Sequence, residues 1–198
     1  MFTGAGGPRL PGGGGVRQDG AVPTDSDRIE LSDDELREIA GYAADCARTV
    51  LPIYEGGLPA DTRPRDAVDA ARIFAEGGPR TNRLRQSAWA AYKAAAGAES
   101  PGAADAARSA SHAAAAAFLH PKASAHQVKH VLGAAAHALR ARELAATEGR
   151  PGVAESLDRA RRDAPAAVTA VLGRLPGAPS GGGRVGEIIR ELDALLRD

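Results

Sequence analysis

Cysteine, lysine and aromatic residues are all scarce in this chain of 198 residues. Cys46 is the single cysteine, which excludes an intrachain disulfide and the paired-cysteine zinc motifs. Lys93, Lys122 and Lys129 are the only lysines, and one Trp, three Tyr and three Phe are the only aromatics. No apolar stretch is long enough to span a bilayer, and the Gly/Pro run after Met1 lacks the apolar segment of a secretory signal. A cytoplasmic protein is expected. Lys and Arg total 25 against 25 Asp and Glu, so no global field draws nucleic acid or anionic lipid to the chain. The phosphate-binding pattern GxxxxGK[ST], a dinucleotide fingerprint and a GxSxG elbow are also missing, which excludes the easily recognised enzyme classes.

What is present is alanine, glycine and arginine, a bias that matches a GC-rich genome of actinobacterial type. Residues 1–28 are rich in Gly and Pro with few large apolar side chains, so ordering them costs entropy that no burial offsets. They are expected to form a disordered tail. Residues 29–198 are expected to form one compact all-α bundle of seven to eight helices with alanine-rich helices at its centre. Ser32 with Glu35 reads as a capping box opening a first helix to about Tyr54, kinked near Pro52. Thr62 and Pro64 open a second helix, Thr81 or Asn82 a third, and Ser100-Pro101 a fourth that runs to about Leu119 and is nearly all alanine. The fifth spans about Ser124 to Thr147, and shorter helices follow at Val153, Pro165 and Val185. Trp89, beside Tyr92 on the third, is expected as a core anchor rather than a stacking platform.

The polar residues on these helices are the candidates for function. Arg65, Asp69 and Arg72 fall at i, i+4 and i+7, one carboxylate between two guanidiniums, with Arg63 at the helix start. Arg80, Arg83 and Arg85 crowd the start of the third helix, where positive charge opposes the macrodipole, so an acidic partner suits them better than helix stability does. On the fourth, Asp105, Arg108, Ser109 and His112 share one stripe, and buried polar groups require partners. Arg65, Asp69 and Arg72 are expected to converge with Arg108 and His112, and with His120 or His130 near by, on one polar pocket between the second, fourth and fifth helices, Asp69 bridging to Arg108. His126 and His130 stand at i and i+4, but no carboxylate or cysteine completes a zinc set. No metal and no cofactor are expected.

Several segments resemble the immunity-protein family of bacterial polymorphic toxin systems, in its immunity-five-like branch. They are Ala43-Ala44 through Val50-Leu51-Pro52, Asp61-Thr62-Arg63-Pro64-Arg65 with Asp69-Ala70-Ala71, and Tyr92 onward into Ala106-Ala107-Arg108. Leu119-His120-Pro121, Gln127-Val128 to His130, and Leu132-Gly133-Ala134-Ala135-Ala136 complete the set, and the likeness extends from about Leu31 to Asp198. The resemblance implies a compact helical protein that neutralises a toxin of the same organism, and it brings Gln127 into the candidate binding set.

Two functional classes stay open at this level. An immunity-type protein binds its cognate toxin, or another acidic protein partner, as a monomer or homodimer, through Arg63, Arg65, Asp69, Arg72, Arg108, His112, His120, Gln127 and His130. The alternative is a small helical enzyme of actinobacterial secondary metabolism. In that reading the arginines grip an anionic small molecule, His112, His120 or His130 is general acid or base, and Asp69 orients it.

Overall fold

A computed structural model of the chain describes residues 28–146 and 153–198. The described residues form nine α-helices and no strand. The expected tail over residues 1–28 lies outside them except for Arg28, which pairs with Lys122 in an isolated antiparallel bridge.

Helix α1 (Asp33–Arg48) begins at the expected capping box: the Ser32 hydroxyl accepts from the Glu35 N–H at 3.2 Å, and the Glu35 carboxylate accepts from the Ser32 N–H at 2.8 Å. The single helix expected up to Tyr54 is two. A break at Thr49–Val50 separates α1 from α2 (Leu51–Glu55), because the Pro52 ring clashes with the preceding turn and has no N–H to continue it. Thr81 and Ser100 cap α4 (Asn82–Ala94) and α5 (Pro101–Ala116) through their hydroxyls. Thr62 precedes α3 (Arg63–Ala75) without such a bond and donates to the Asp66 carboxylate instead. Helix α6 is Val128–Leu144, and a 3-10 turn, Ala125–Gln127, stands before it. His126 is therefore off the helix that was expected to align it with His130. The expected end of that helix, Thr147, lies outside the described residues.

Helix α5 is the centre of the bundle, packed by α1, α2, α3, α4 and α6. Ala106, Ala107, Ala110, Ala113, Ala114 and Ala116 are fully buried around it, and their small side chains let five neighbours approach one axis. Glycine permits the same closeness at two places between α5 and α6. A Cβ on Gly102 would lie 3.3 Å from the Ala141 carbonyl oxygen, and one on Gly133 only 2.6 Å from Nδ1 of His112. Helices α7 (Val153–Arg162), α8 (Ala166–Gly173) and α9 (Gly183–Arg197) cover the far side of α6. The strong amphipathic pattern of α9 is used within the chain: Ile188, Leu192 and Leu196 are buried in the main core.

Candidate functional site

The register of α4 decides where its aromatics go. Leu84, Ala88 and Ala91 form its buried stripe. At roughly 100° per residue, Trp89 stands about 140° and Tyr92 about 80° round the axis from Leu84. Both rings fall outside the core, contrary to the expected anchor role, and remain 58% and 54% exposed. They stack on one another with centroids 5.2 Å apart and planes 11° from parallel. The Lys93 ammonium lies 5.5 Å from the Trp89 ring centre.

This pair edges a groove of about 800 Å³ where α4, α5 and the start of α6 meet. Its α4 wall carries Asn82, Arg85, Gln86, Ala88, Trp89 and Tyr92; its floor is Ser111, His112 and Ala115 of α5; its α6 wall is Lys129 and His130. No carboxylate among the described residues lines it. Neither Arg85 nor Lys129 has an ion-pair partner among the described residues, and Arg85 instead lies over Phe118 at 4.5 Å. A cation left unpaired beside exposed aromatic surface is available to an incoming anion.

Behind the floor runs a buried polar chain. The His112 side chain makes no hydrogen bond to another described residue; its ring stacks on His137 with centroids 5.1 Å apart. His137 Nδ1 lies 2.7 Å from Asp105 Oδ1 and donates to it, since an ionised carboxylate only accepts. Asp105 is 7% exposed and also meets Arg108 at 3.4 Å. Its burial acts to raise the carboxyl pKa, but the hydrogen bond and charge of His137, then Arg108, outweigh this and hold it below the ordinary value. Burial, followed by the neighbouring charges of His137, His130 and Lys129, pushes His112 down to about 3, so its imidazole is neutral at pH 7. Burial, then Lys129 and His120, also lowers His130. Ser109 completes the stripe by donating to the Ala134 carbonyl at 2.7 Å. The polar face of α5 thus finds its partners on α6, where α3 had been expected.

The structure disperses most of the other candidates. The Arg63 guanidinium donates two hydrogen bonds to Asp61, at 2.8 and 2.5 Å, and the same carboxylate accepts from the Tyr54 hydroxyl at 2.6 Å. Arg65 pairs with Glu55 at 2.6 Å, and Arg72 with Asp45 at 2.6 Å and Glu76 at 3.6 Å. Asp69 forms no ion pair with these arginines or with Arg108; it lies exposed with Asp66 and Arg83 in a smaller groove between α3 and α4. The expected Asp69–Arg108 bridge is therefore corrected. Asp105, one turn ahead of Arg108 on the same helix and buried against α6, occupies that role. His120 is exposed, and the buried Gln127 side chain accepts from its backbone N–H at 3.4 Å, which ties down the turn at Pro121. Of the nine residues expected to bind the toxin, His112 and His130 line the aromatic groove, and Arg85, noted apart from them as suited to an acidic partner, lines it too.

Trp89 and Lys129 were not among the candidates, although the angular offset of Trp89 from the α4 stripe was available in the sequence. Among the described residues no group of three or more His, Cys, Asp or Glu is arranged to hold a metal, and no helix is long and apolar enough to cross a membrane.

The family model described as "Imm-5 like putative immunity protein" matches residues 30–167. The chain belongs to this family. No curated protein and no solved structure matches it. In this Imm-5-like chain the match runs from just before α1 into α8, so it contains every groove residue and omits α9. The resemblance read from the sequence extended further, to Asp198.

Proposed function

We propose that this Imm-5-like protein neutralises a toxin of its own organism by binding it in the cytoplasm, and that the groove between α4, α5 and α6 is the contact face. The observation that carries the reading is the exposed Trp89–Tyr92 stack on a groove with cationic walls and no carboxylate. Folding normally places aromatic surface inside, whereas Trp, Tyr and Arg are the side chains that dominate binding energy where two proteins meet. Family membership supports the same role. The enzyme alternative requires Arg63, Arg65, Arg72 and Arg108 around one anion with Asp69 beside them. Each of those arginines instead answers a different carboxylate, and no observation favours catalysis.

Co-expression tests the proposal. The toxin domain encoded beside this gene is produced with the wild-type chain or with Trp89→Ala, and growth and co-purification are scored. Protection and a stable complex with the wild type, both reduced by Trp89→Ala at unchanged helical circular dichroism, are expected. Failure of the wild type to protect or to form a complex overturns the reading.

A further inference from the structure

We infer that the groove receives an acidic segment of the partner, which lays a planar apolar side chain against Trp89 and Tyr92 while its carboxylates reach Arg85 on one wall and Lys129 on the other. The inference deepens the proposed function and depends on it only in taking the occupant to be part of a protein.

Charge complementarity selects the sign. Both walls present a cation without an acidic partner among the described residues, Arg85 from α4 and Lys129 from α6, and His130 stands beside Lys129. Another cluster of cations carries its own counter-charge. The cleft that holds Arg48, Arg142 and Arg159 also holds Asp45 and Asp163, and Arg48 pairs with Asp45 at 3.1 Å. The aromatic groove has no such internal counter-charge, so a basic segment entering it would meet only repulsion.

The anchor is planar because the surface offered to it is planar. The stacked Trp89 and Tyr92 rings, with Ala88 and Ala115 close by, provide flat apolar area, and aromatic side chains prefer offset or edge contact with such a surface. The floor histidine is neutral and packs its ring on His137 and, at the Nδ1 edge, against Gly133, without a side-chain hydrogen bond to another described residue, so it adds no charge to the groove. The occupant is a chain segment rather than a small ligand because both aromatic rings remain more than half exposed. Small-molecule sites enclose most of their ligand, whereas rim-exposed Trp and Tyr are covered when a second protein surface arrives.

Trp89 is the only tryptophan, so its indole N–H gives one reporter resonance in the 15N-labelled full chain. The probe is the peptide acetyl-EDFDE-amide. It is compared with acetyl-EDADE-amide, acetyl-KRFRK-amide and adenosine monophosphate, a planar anion of small size. The acidic Phe peptide should shift the Trp89 resonance saturably. Replacing its Phe by Ala should weaken binding about tenfold, the loss of roughly 1.4 kcal/mol of anchor energy. Arg85→Glu and Lys129→Glu, both exposed substitutions checked by circular dichroism, should each weaken it further, and the basic peptide should leave Trp89 unmoved. The inference is overturned if the acidic peptide does not move Trp89, if the basic peptide moves it equally, if both charge reversals have no effect, or if adenosine monophosphate saturates at lower concentration. None of these measurements uses the toxin. A silent peptide with intact toxin protection therefore removes this inference alone, and lost protection with a responsive peptide removes the functional reading alone.

Discussion

The face built by α1, α2 and α3 and the face built by α4, α5 and α6 use the same side chains to opposite ends. On the first, each prominent arginine is answered by a carboxylate of the chain: Arg63 by Asp61, Arg65 by Glu55, Arg72 by Asp45 and Arg80 by Asp33. On the second, Arg85 and Lys129 have none among the described residues, and two aromatic rings stand in water beside them. Both faces are rich in positive charge when read as sequence. The difference shows that a count of cations does not locate a site; what matters is which of them the fold leaves unanswered, because an exposed internal pair is already screened and satisfied.

The comparison is broken most severely from beneath the groove. Asp105→Ala removes the acceptor that holds both His137 and Arg108, and unfolding in urea should show a loss of about 3 kcal/mol, the usual result of stranding one side of a buried ionic contact. A loss below 1 kcal/mol would mean that the polar chain is incidental to the α5–α6 packing. Next in size, Trp89→Ala should cost about 2 kcal/mol of toxin binding with stability changed by less than about 0.5 kcal/mol. Arg72→Ala on the opposite face should leave binding unchanged. Equal effects of the two substitutions, measured by calorimetric titration, would erase the distinction between the faces.

Acid provides a third probe, read as the slope of stability with pH. The folded pKa of His112 lies near 3, below the ordinary value of 6.5, so the unfolded chain takes up a proton that the folded chain refuses. Stability is complete above about pH 6.5 and falls as pH drops toward 3, by up to about 1.4 kcal/mol per pH unit. His112→Phe should flatten this slope between pH 6 and 4 (about the midrange of that window) in denaturant titrations. An unchanged slope would show that His112 is not the group responsible. The smallest effect belongs to the paired face: Asp45→Asn removes the negative charge that Arg48 and Arg72 share, yet these contacts are exposed, and a loss under about 1 kcal/mol is expected in the same assay. A larger loss would make that network structural rather than superficial.

Much of the fold was legible because its signals are local. Ser32 with Glu35, Thr81 and Ser100 mark helix starts through hydrogen bonds that span three residues, and Pro52 marks a break through its own ring. The alanines of α5 announced a buried axis before any neighbour was known. The site was legible only in fragments. His112 and His130 were named and do line the groove, yet the acid expected to organise them was Asp69, at attractive helical spacing from two arginines. Those arginines turned to Glu55 and Asp45, residues of other helices, so the spacing within α3 did not decide the pairing.

The sequence by itself therefore determined most helix positions, the caps at Ser32, Thr81 and Ser100, the small-residue core and membership in the Imm-5-like family, since each rests on neighbours a few residues apart or on the linear order of motifs. Tertiary structure alone decided that His137 reaches Asp105 from 32 positions away, that Gly133 clears the space His112 occupies, and that Arg85 and Lys129 face each other across one groove with no acid between them. The physical reason is that pairing depends on distance in space and on burial. A helix fixes which side chains share its face, but the packing of one helix against another fixes which charges meet, which are enclosed, and which are left to a partner.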